Sequence, residues 1–532
     1  MPPMLLWLAG AVLGVLGLLV VYDLFQKEHA ILRNFPLLGH FRYWFEAVGP
    51  ELRQYIVTSN DEERPFSRDQ RRWVYASAKR ENNYFGFGTD NDLEASSNYL
   101  VVKHSAFPLT SPRPGEGDYD PVYNVACAKV MGEARGRLYA FRPQSIVNIS
   151  GMSYGSLSAA AVEALNRGAA LAGCLHNTGE GGVSKHHMHG GELVWQIGTG
   201  YFGCCNEDGS YDGERMADTV ERMGVKAIEI KLSQGAKPGL GGVLPAAKVS
   251  REISRVRGIP RGHDCISPAR HAIFHDVDSM LDFVEATAEQ TGVPVGIKSA
   301  VGDESFWIEL ANQMIDGQRG VDFITVDGGE GGTGAGPLAF TDHVALPFKV
   351  AFGRVHRIFA ERGLADRIVF NGSGKLGFPD VALLALAMGC DTISVGREAM
   401  MAIGCIQAQR CHTGHCPTGV ATQSRWLMRG LEPTSKGARL ANYVTILRKE
   451  LLQLARACGV NHPSEVGLDR FEVLDDAYGS RGAAEVFGQS PPVAPRAPAG
   501  PGSSPGRAPG PSPGPGPGPE PDSDIVTVRI KG

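Results

Sequence analysis

Residues 321–337 read VDFITVDGGEGGTGAGP, a short β-rich run followed at once by a glycine-rich loop. The same succession recurs between residues 145 and 400. The β-rich runs are Ile146–Ser150, Cys174–Asn177, Leu193–Ile197, Lys226–Lys231, Val293–Lys298, Val321–Asp327, Arg367–Asn371 and Asp391–Val395. Stretches with helical apolar spacing lie between most of them, at Leu157–Ala172, Glu214–Met223, Val277–Thr291, Ser305–Asp316, Ala345–Arg362 and Pro379–Met388. Strands that alternate with helices in this way predict a parallel sheet, and eight repeats predict a closed (β/α)8 TIM barrel.

Glycine-rich or polar motifs follow almost every predicted strand. They are SGMSYGSLS (150–158), NTGEGG (177–182), KLSQGAKPG (231–239), KSAVG (298–302), DGGEGGTGAGP (327–337), NGSGKLG (371–377) and GRE (396–398). A doubly wound open sheet is the rival fold, but it would concentrate its glycine signature after the first strand. In a barrel all seven loops meet at one rim, the rim at which active sites lie.

The loops after the seventh and eighth predicted strands occupy the usual phosphate-binding position of this fold. Candidates for holding a phosphate there are the backbone N–H groups of Gly372, Gly374 and Gly396, together with Arg397. The phosphate of FMN and a sugar-phosphate substrate are alternative occupants. Two lysines, Lys231 and Lys298, each end a predicted strand. Each contacts a cofactor or substrate, or extends its ammonium to solvent.

A cysteine triplet follows the last predicted strand. Cys405, Cys411 and Cys416 are spaced C-x5-C-x4-C, and a proline follows the third. Three thiolates and a closing Cys–Pro favour an iron–sulfur cluster. Zinc is the alternative, with two histidines of the same loop completing the ligand set. The ten cysteines of the chain form no regular disulfide framework, which indicates a reducing compartment.

The two ends of the chain differ from its middle in composition. Residues Met4–Tyr22 are apolar and uncharged, long enough to cross a bilayer, and basic residues occur only after them. This pattern favours a single-pass anchor with the main body in the cytoplasm, and a signal peptide or a core helix are the alternatives. The expected organisation is an anchor at 4–22, a helical and irregular cap at 23–140, a barrel at 141–480 with an iron–sulfur loop at 405–416, and a disordered Pro/Gly-rich tail at 490–522. A net charge of -5 argues against nucleic acid as a partner.

Residues 146–423 resemble the FMN-binding synthase domain of glutamate synthase. The resemblance rests on SGMSYGSLS, HNTGEGG, EIKLSQGAKPG, DGGEGGTGAGP and CHTGHCPTGVATQ, and the chain is most similar to stand-alone, membrane-tethered members of that family. The resemblance implies a 3Fe-4S cluster on the three cysteines. It also implies an FMN lined by Met152, Ser153, Thr178, Lys231 and Lys298. Contacts to a keto acid are implied for Glu180, Gln234 and Lys248.

The reaction that the resemblance implies is reductive transfer of ammonia onto 2-oxoglutarate to give glutamate. The family sequence Gly-Glu-Gly-Gly reads Gly239-Leu240-Gly241-Gly242 here, so an acidic residue near the substrate is missing. No amidotransferase or pyridine-nucleotide domain is recognisable, and we expect the ammonia source and the electron partner, ferredoxin or a membrane quinone, to be external. Alternatives are an FMN and iron–sulfur amine or amino-acid dehydrogenase that passes electrons to quinone, and a non-catalytic electron-transfer subunit.

Overall fold

The computed structural model describes residues 3–26, 30–59, 62–94, 96–117 and 119–488, so the predicted tail at 490–522 lies outside the described residues. The α-helices are α1 (Pro3–Phe25), α2 (Ala30–Asn34), α3 (Leu38–Leu52), α4 (Arg68–Lys79), α5 (Ala159–Ala172), α6 (Gly213–Met223), α7 (Arg251–Arg257), α8 (Val277–Thr291), α9 (Ser305–Met314), α10 (Leu338–His343), α11 (Phe348–Ala360), α12 (Pro379–Ala387), α13 (Arg397–Ala402), α14 (Arg425–Met428), α15 (Pro433–Ala457) and α16 (Ala483–Val486). The strands are β1 (Tyr99–Val102), β2 (Val147–Ile149), β3 (His176–Asn177), β4 (Leu193–Ile197), β5 (Val225–Lys231), β6 (Val243–Leu244), β7 (Cys265–Ile266), β8 (Val295–Ser299), β9 (Phe323–Asp327), β10 (Val369–Ser373), β11 (Thr392–Val395), β12 (Phe471–Leu474) and β13 (Ser480–Gly482).

Eight parallel strands close into a barrel in the order β10-β11-β2-β3-β4-β5-β8-β9. Each contains or overlaps one of the predicted β-rich runs, and β11 closes the ring by pairing with β2. The predicted (β/α)8 barrel is therefore confirmed. Its strand ends bring the seven glycine-rich and polar loops to one rim, which we call the mouth.

The outer helices begin and end where local chemistry dictates. The carboxylate of Asp276 accepts the backbone N–H of Ser279 at 2.8 Å and caps the start of α8. The helix ends at Gly292, whose φ of 72° strains any residue with a side chain. Helices α5 and α6 are capped in the same way, by Ser158 and Asp212. These caps fix the lengths of the crossover connections and thereby the positions of the loops at the mouth.

A buried polar network fills the barrel interior beneath the mouth. Glu229 on β5 accepts hydrogen bonds from Asn177 and Gln196 at 2.7 Å and from Thr325 at 2.6 Å. The amide of Asn371 on β10 continues the network to Thr325 at 3.1 Å. Because these side chains come from five different strands, only the interior of the barrel can bring them together. A satisfied network of this kind rigidifies the strands that carry the mouth residues.

Two features outside the barrel were not predicted. The 25-residue helix α15 packs on α5, and a side chain at Gly168 would come within 2.7 Å of Leu440. Strand β1 pairs with β12, and β12 pairs with β13, in an antiparallel sheet. The region at 23–140 therefore contributes a strand, where only helical and irregular structure was expected.

Helix α1 is the one helix among the described residues that is long and apolar enough to cross a membrane. It has 23 residues and a mean hydropathy of 2.6, and none of its apolar window is buried. A signal sequence near an N-terminus meets the same criteria.

Candidate active site at the barrel mouth

Three predicted site residues meet at the mouth: Glu180 and Gln234, which were expected to contact a keto acid, and Lys231, which was expected to line FMN. Lys231, the last residue of β5, lies 3.0 Å from the carboxylate of Glu180 in the loop after β3. The same ammonium donates to Oε1 of Gln234 at 3.0 Å. Glu180 follows β3, whereas Lys231 and Gln234 end and follow β5; β4 separates the two strands, but both end at the same rim.

The carboxylate of Glu180 lies so close to two glycines that neither position has room for a side chain. A side chain at Gly198 or at Gly242 would come within 2.7 or 2.8 Å of its oxygens. Burial alone would raise the pKa of Glu180, but the charge of Lys231, with smaller contributions from Arg257 and Lys237, lowers that pKa below its ordinary value. Glu180 is therefore ionised at neutral pH and holds Lys231 in one orientation.

The second predicted lysine, Lys298 at the end of β8, is buried beside Asp327. Its ammonium lies 3.5 Å from Oδ2 of Asp327, and the same oxygen accepts the backbone N–H of Gly235 at 2.8 Å. Burial would lower the pKa of Lys298, but the charges of Asp327 and Glu229 outweigh it and raise that pKa. A charged lysine thus lies between the polar barrel interior and the mouth.

A third lysine at the mouth was missed. Lys237 is 4% exposed, and its ammonium donates to the backbone oxygen of Gly241 at 2.9 Å. Burial and the positive charge of Lys231 lower the pKa of Lys237. No carboxylate of the described residues forms an ion pair with it, and Leu240 stands nearby in the chain where the family pattern has glutamate. The lysine lies within the quoted motif KLSQGAKPG, but its missing counter-charge is visible only in three dimensions.

The segments after β10 and β11 carry two cations, Lys375 and Arg397, that lie 5.2 and 4.9 Å from the ring centroid of Phe66. Burial and the positive charges of Arg397 and Arg64 lower the pKa of Lys375. Arg397 donates to the backbone oxygen of Glu330, and Gly374 has a φ of 134° that a glycine readily adopts. A rim that gathers repelling cations beside a flexible backbone position suits a phosphate. Lys375 was not predicted, although the motif NGSGKLG contains it.

Gly372 does not fit the predicted phosphate cradle. It lies inside β10, paired in register with strands on both sides, and a side chain there would meet Leu376 and Phe348 at 2.9 Å. Gly396 directly follows β11, beside Ser150, and therefore lies at the mouth as predicted. The phosphate candidates at the mouth are therefore Gly374, Gly396, Arg397 and Lys375.

The loop after β2 lies against the loop after β3. A side chain at Gly179 would come within 2.5 Å of the backbone nitrogen of Ser153, next to Met152. Both Met152 and Ser153 are half-buried, so their side chains can line a ligand. Thr178 has no exposed surface, and its hydroxyl is bonded to the backbone of Gln196 and Gly179. Its side chain does not line the mouth as predicted.

The cysteine triplet lies in a loop after α13. Burial raises the pKa of Cys405 to about 12, and burial with the charge of Cys416 raises that of Cys411. For Cys416 burial acts in the same direction, but hydrogen bonds from the backbone of Ala421 and from Thr418 outweigh it and lower its pKa. The charges of Cys411 and Cys416 contribute to the raised pKa of Cys405, which is consistent with three thiols gathered in one loop.

Among the described residues, no three His, Cys, Asp or Glu side chains are close enough together to hold one metal ion. Thiolates that bind a single zinc ion lie about 4 Å apart, because Zn–S bonds are about 2.3 Å long. An iron–sulfur cluster does not require the sulfurs to be this close together, because each thiolate binds a different iron of the cluster.

Lys248 lies at this loop and not beside Glu180. Its ammonium donates to the backbone oxygen of Cys411 at 2.8 Å, and it feels the charges of Cys411 and Cys416. The predicted contact between Lys248 and a keto acid is therefore replaced by a contact with the cysteine loop. The short 3-10 turn at Ala246–Lys248 directs the side chain there.

The chain is similar to several known proteins. The family model described as a conserved region in glutamate synthase matches residues 135–461. The glutamate synthase large subunit-like protein YerD of Bacillus subtilis is 37% identical over 468 residues, which cover 82% of this chain and 88% of YerD. An archaeal NADPH glutamate synthase of Methanocaldococcus jannaschii is 36% identical over 59% of each chain. Among solved structures, the flavin-binding domain of baker's yeast flavocytochrome b2 covers 77% of this chain and 85% of its own, with 15% identity and a TM-score of 0.43.

Proposed function

This chain belongs to the glutamate synthase family and is an oxidoreductase of that kind, and we propose that it reductively aminates 2-oxoglutarate to glutamate with FMN and a 3Fe-4S cluster. The observation that carries the proposal is the grouping of Glu180, Lys231 and Gln234 at the mouth. This group lies near Lys237, a buried cation without a carboxylate partner among the described residues.

The residues of the mouth fit FMN. Lys375 and Arg397 are two cations that form no ion pair with a described carboxylate, although the charges of Glu398 and Glu330 act on both, and a phosphate could pair with them. Lys298 supplies a buried positive charge of the sort that stabilises a reduced flavin ring, and Met152 and Ser153 can line it. When bound, FMN supplies hydride-transfer chemistry.

The cysteine loop fits an iron–sulfur cluster better than zinc. Three neighbouring thiols, one of them with a lowered pKa, are available as ligands. Lys248 provides a nearby positive charge that favours the thiolate forms. The cluster, when bound, supplies single-electron transfer.

The side chains of the chain itself account for substrate binding. Lys237 can pair with a carboxylate of the keto acid, because its own environment leaves it short of negative charge. Lys231 can donate a hydrogen bond from Nζ to the keto oxygen and draw electron density from the carbon that ammonia attacks. Glu180 keeps Nζ of Lys231 charged and oriented for that contact. Gln234 holds the same ammonium from a second side.

Electrons come from an external partner in this proposal, either ferredoxin or a membrane quinone. We further propose that α1 anchors the chain in a membrane with the barrel in the cytoplasm. The proposal is supported by the length and hydropathy of α1 and by the basic residues Arg33, Arg42 and Arg53 that follow it. Resistance of the chain to alkaline carbonate extraction tests the anchor, and digestion of sealed vesicles tests the orientation.

An amine or amino-acid dehydrogenase that passes electrons to quinone is the second candidate function. Leu240 favours it, because this side chain stands where the family resemblance implies an acidic residue. Leu240 is 38% exposed and lies two residues before Gly242, which is next to the carboxylate of Glu180. An altered contact there would change which nitrogen compound the mouth accepts.

One experiment separates the candidates. Protein purified without oxygen is reduced with a dye, and its flavin absorbance is followed after substrates are added. Reoxidation that requires both 2-oxoglutarate and ammonium, with glutamate as product, is the expected result. Reduction of the oxidised protein by an amine or amino acid alone, with no response to the keto acid, would support the dehydrogenase. No response to any nitrogen compound would leave only the electron-transfer role.

A further inference from the structure

The helix α3 carries an apolar stripe that faces away from the protein. Apolar residues recur in it at alternating spacings of three and four, which places them on one helix face. They are Leu38, Phe41, Phe45, Val48 and Leu52. Leu38 and Phe41 are 69% and 60% exposed, and the π-helical turn at Arg53–Val57 continues the stripe with further exposed apolar side chains. A stripe of this size requires an external partner.

Hydrogen bonds fix the start of α3 beside the end of α1. The buried carboxylate of Asp23, in the last turn of α1, accepts the backbone N–H of Leu37 at 3.0 Å. It also binds the ring of His40 at 2.9 Å. If α1 crosses a bilayer, α3 therefore starts at the level where the hydrocarbon ends.

The composition of α3 and its flanks suits the boundary between lipid tails and headgroups. Trp44 is 56% exposed next to the stripe, and tryptophan is enriched at membrane interfaces. Arg33, Arg42 and Arg53 are exposed around it and can pair with lipid phosphates. Binding to another protein would require a surface of complementary shape. Apolar side chains flanked by tryptophan and arginine can bind a bilayer without such a match.

The opposite side of the segment holds the cysteine loop. Glu51 pairs with Arg410 at 2.8 Å, and the amide of Gln54 donates to the backbone oxygen of Ile406 at 2.9 Å. Both contacts lie between Cys405 and Cys411. A membrane surface that received the stripe would thus have the cysteine loop directly above it.

We propose that residues 35–57 form an interfacial membrane-binding element, distinct from the α1 anchor, that seats the cysteine loop on the bilayer surface. The occupant of the stripe is the headgroup and upper acyl region of a phospholipid bilayer. The inference rests on the proposed anchor for its geometry, but its test is independent of that anchor and of catalysis.

The test places the full chain in vesicles of anionic and zwitterionic phospholipids that carry bromine near the top of the acyl chain. Trp44 fluorescence is obtained as the difference between the wild-type protein and Trp44→Phe. We expect this difference signal to lose roughly half or more of its intensity relative to unbrominated vesicles, because the stripe is buried at bromine depth. The double variant Phe41→Ser/Phe45→Ser should lose most of that quenching, while Phe107→Ser, which changes a still more exposed aromatic elsewhere, should not.

The possible outcomes separate the two membrane elements. Quenching of Trp44 in a chain that carbonate extracts from membranes would support the interfacial element and contradict the anchor. A chain that resists extraction but whose Trp44 emission is the same with and without bromine would keep the anchor and overturn the proposal. An unquenched Trp44 in a chain that forms dimers would assign the stripe to a second copy and would overturn it equally.

Discussion

The two ends of the barrel differ in how completely their charged side chains are paired. At the N-terminal ends of the strands, Arg137 pairs with Asp322 at 2.9 Å and with Glu285 at 2.8 Å, and Lys129 pairs with Asp391 at 2.9 Å. At the mouth, Lys231 and Lys298 pair with Glu180 and Asp327, but three further cations form no ion pair with any described carboxylate: Lys237, Lys375 and Arg397. One end satisfies its charges internally and contributes stability, whereas the other keeps charge available for ligands. Variants at the two ends should therefore separate stability from activity.

The largest effect is expected at the cysteine loop. Cys416→Ala removes a proposed cluster ligand, and we expect the iron content and the paramagnetic signal of the purified protein to fall to background. Turnover supported by a partner should be lost with them. Cys458→Ala, which removes another buried free thiol, is the matched control and should keep both. Full iron content in the Cys416 variant would show that the triplet is not the ligand set.

At the opposite end of the barrel, Arg137→Gln should affect stability alone. The change leaves Asp322 buried without its partner, and the free energy of unfolding should fall by about 3 kcal/mol. The kcat of the folded protein should not change. Arg319→Gln, which breaks only surface pairs with Asp278 and Asp282, should cost less than about 1 kcal/mol. Denaturant titration together with steady-state kinetics checks both. A fall in kcat for Arg137→Gln would contradict the separation of stability from activity between the two ends.

At the mouth the reverse pattern is expected of Glu180→Gln. The amide keeps the shape but no longer orients the charge of Lys231, and kcat/KM for the keto acid should fall about 100-fold. The control Glu207→Gln changes an exposed carboxylate and should have no effect. A Glu180 variant of normal activity would remove this residue from the site.

Lys375→Met tests the phosphate side of the mouth. Removing one of the repelling cations should weaken FMN binding about tenfold, because a hydrogen bond to a charged group contributes about 1.5 kcal/mol or more. The flavin-free protein should not lose stability, since the repulsion from Arg397 disappears as well. Lys226→Met, at an exposed lysine, is the control. Equal FMN affinity in the variant and the wild type would place the phosphate elsewhere.

The smallest effect concerns acid stability at the paired end. Burial would raise the pKa of Glu285, but hydrogen bonds from Arg137 and Gly320 and the charge of Arg135 outweigh it and lower that pKa. The stabilisation by Glu285 is therefore fully present above the ordinary glutamate pKa and is lost as the pH falls through the lower folded value. Glu285→Gln should be about 1 kcal/mol less stable than the wild type near pH 7, and the difference should shrink in acid. A difference that does not depend on pH would contradict the ionic origin.

The repeat of strand and loop predicted the barrel because each strand is a short β-rich run with a glycine-rich or polar end. It also predicted that the loops carrying Glu180, Lys231 and Gln234 would share one rim, and the structure adds the direct contacts among the three side chains. Helix α15 was missed because it follows the last barrel repeat, although its sequence has a helical pattern. The seventh strand was predicted to end at Asn371, but β10 extends to Ser373, so Gly372 lies in the strand and not in the loop after it.

Other features depend on packing that no local pattern records. Lys237 and Lys375 lie in quoted motifs, yet their importance comes from their burial without an ion pair to any described carboxylate, which only the three-dimensional structure reveals. Lys248 resembles a substrate ligand in sequence, but the short turn that carries it directs it to Cys411. Thr178 is next to functional residues and still has its hydroxyl satisfied within the protein.

The central claim is that the mouth catalyses carbon–nitrogen bond formation on a keto acid. The most direct measurement incubates the reduced, anaerobically purified protein with 2-oxoglutarate and 15N-labelled ammonium and detects the product by mass spectrometry. The account predicts 15N-glutamate from the wild-type protein and about 100-fold less from Glu180→Gln. Absence of labelled glutamate from wild-type protein that retains its full flavin and iron content would contradict it.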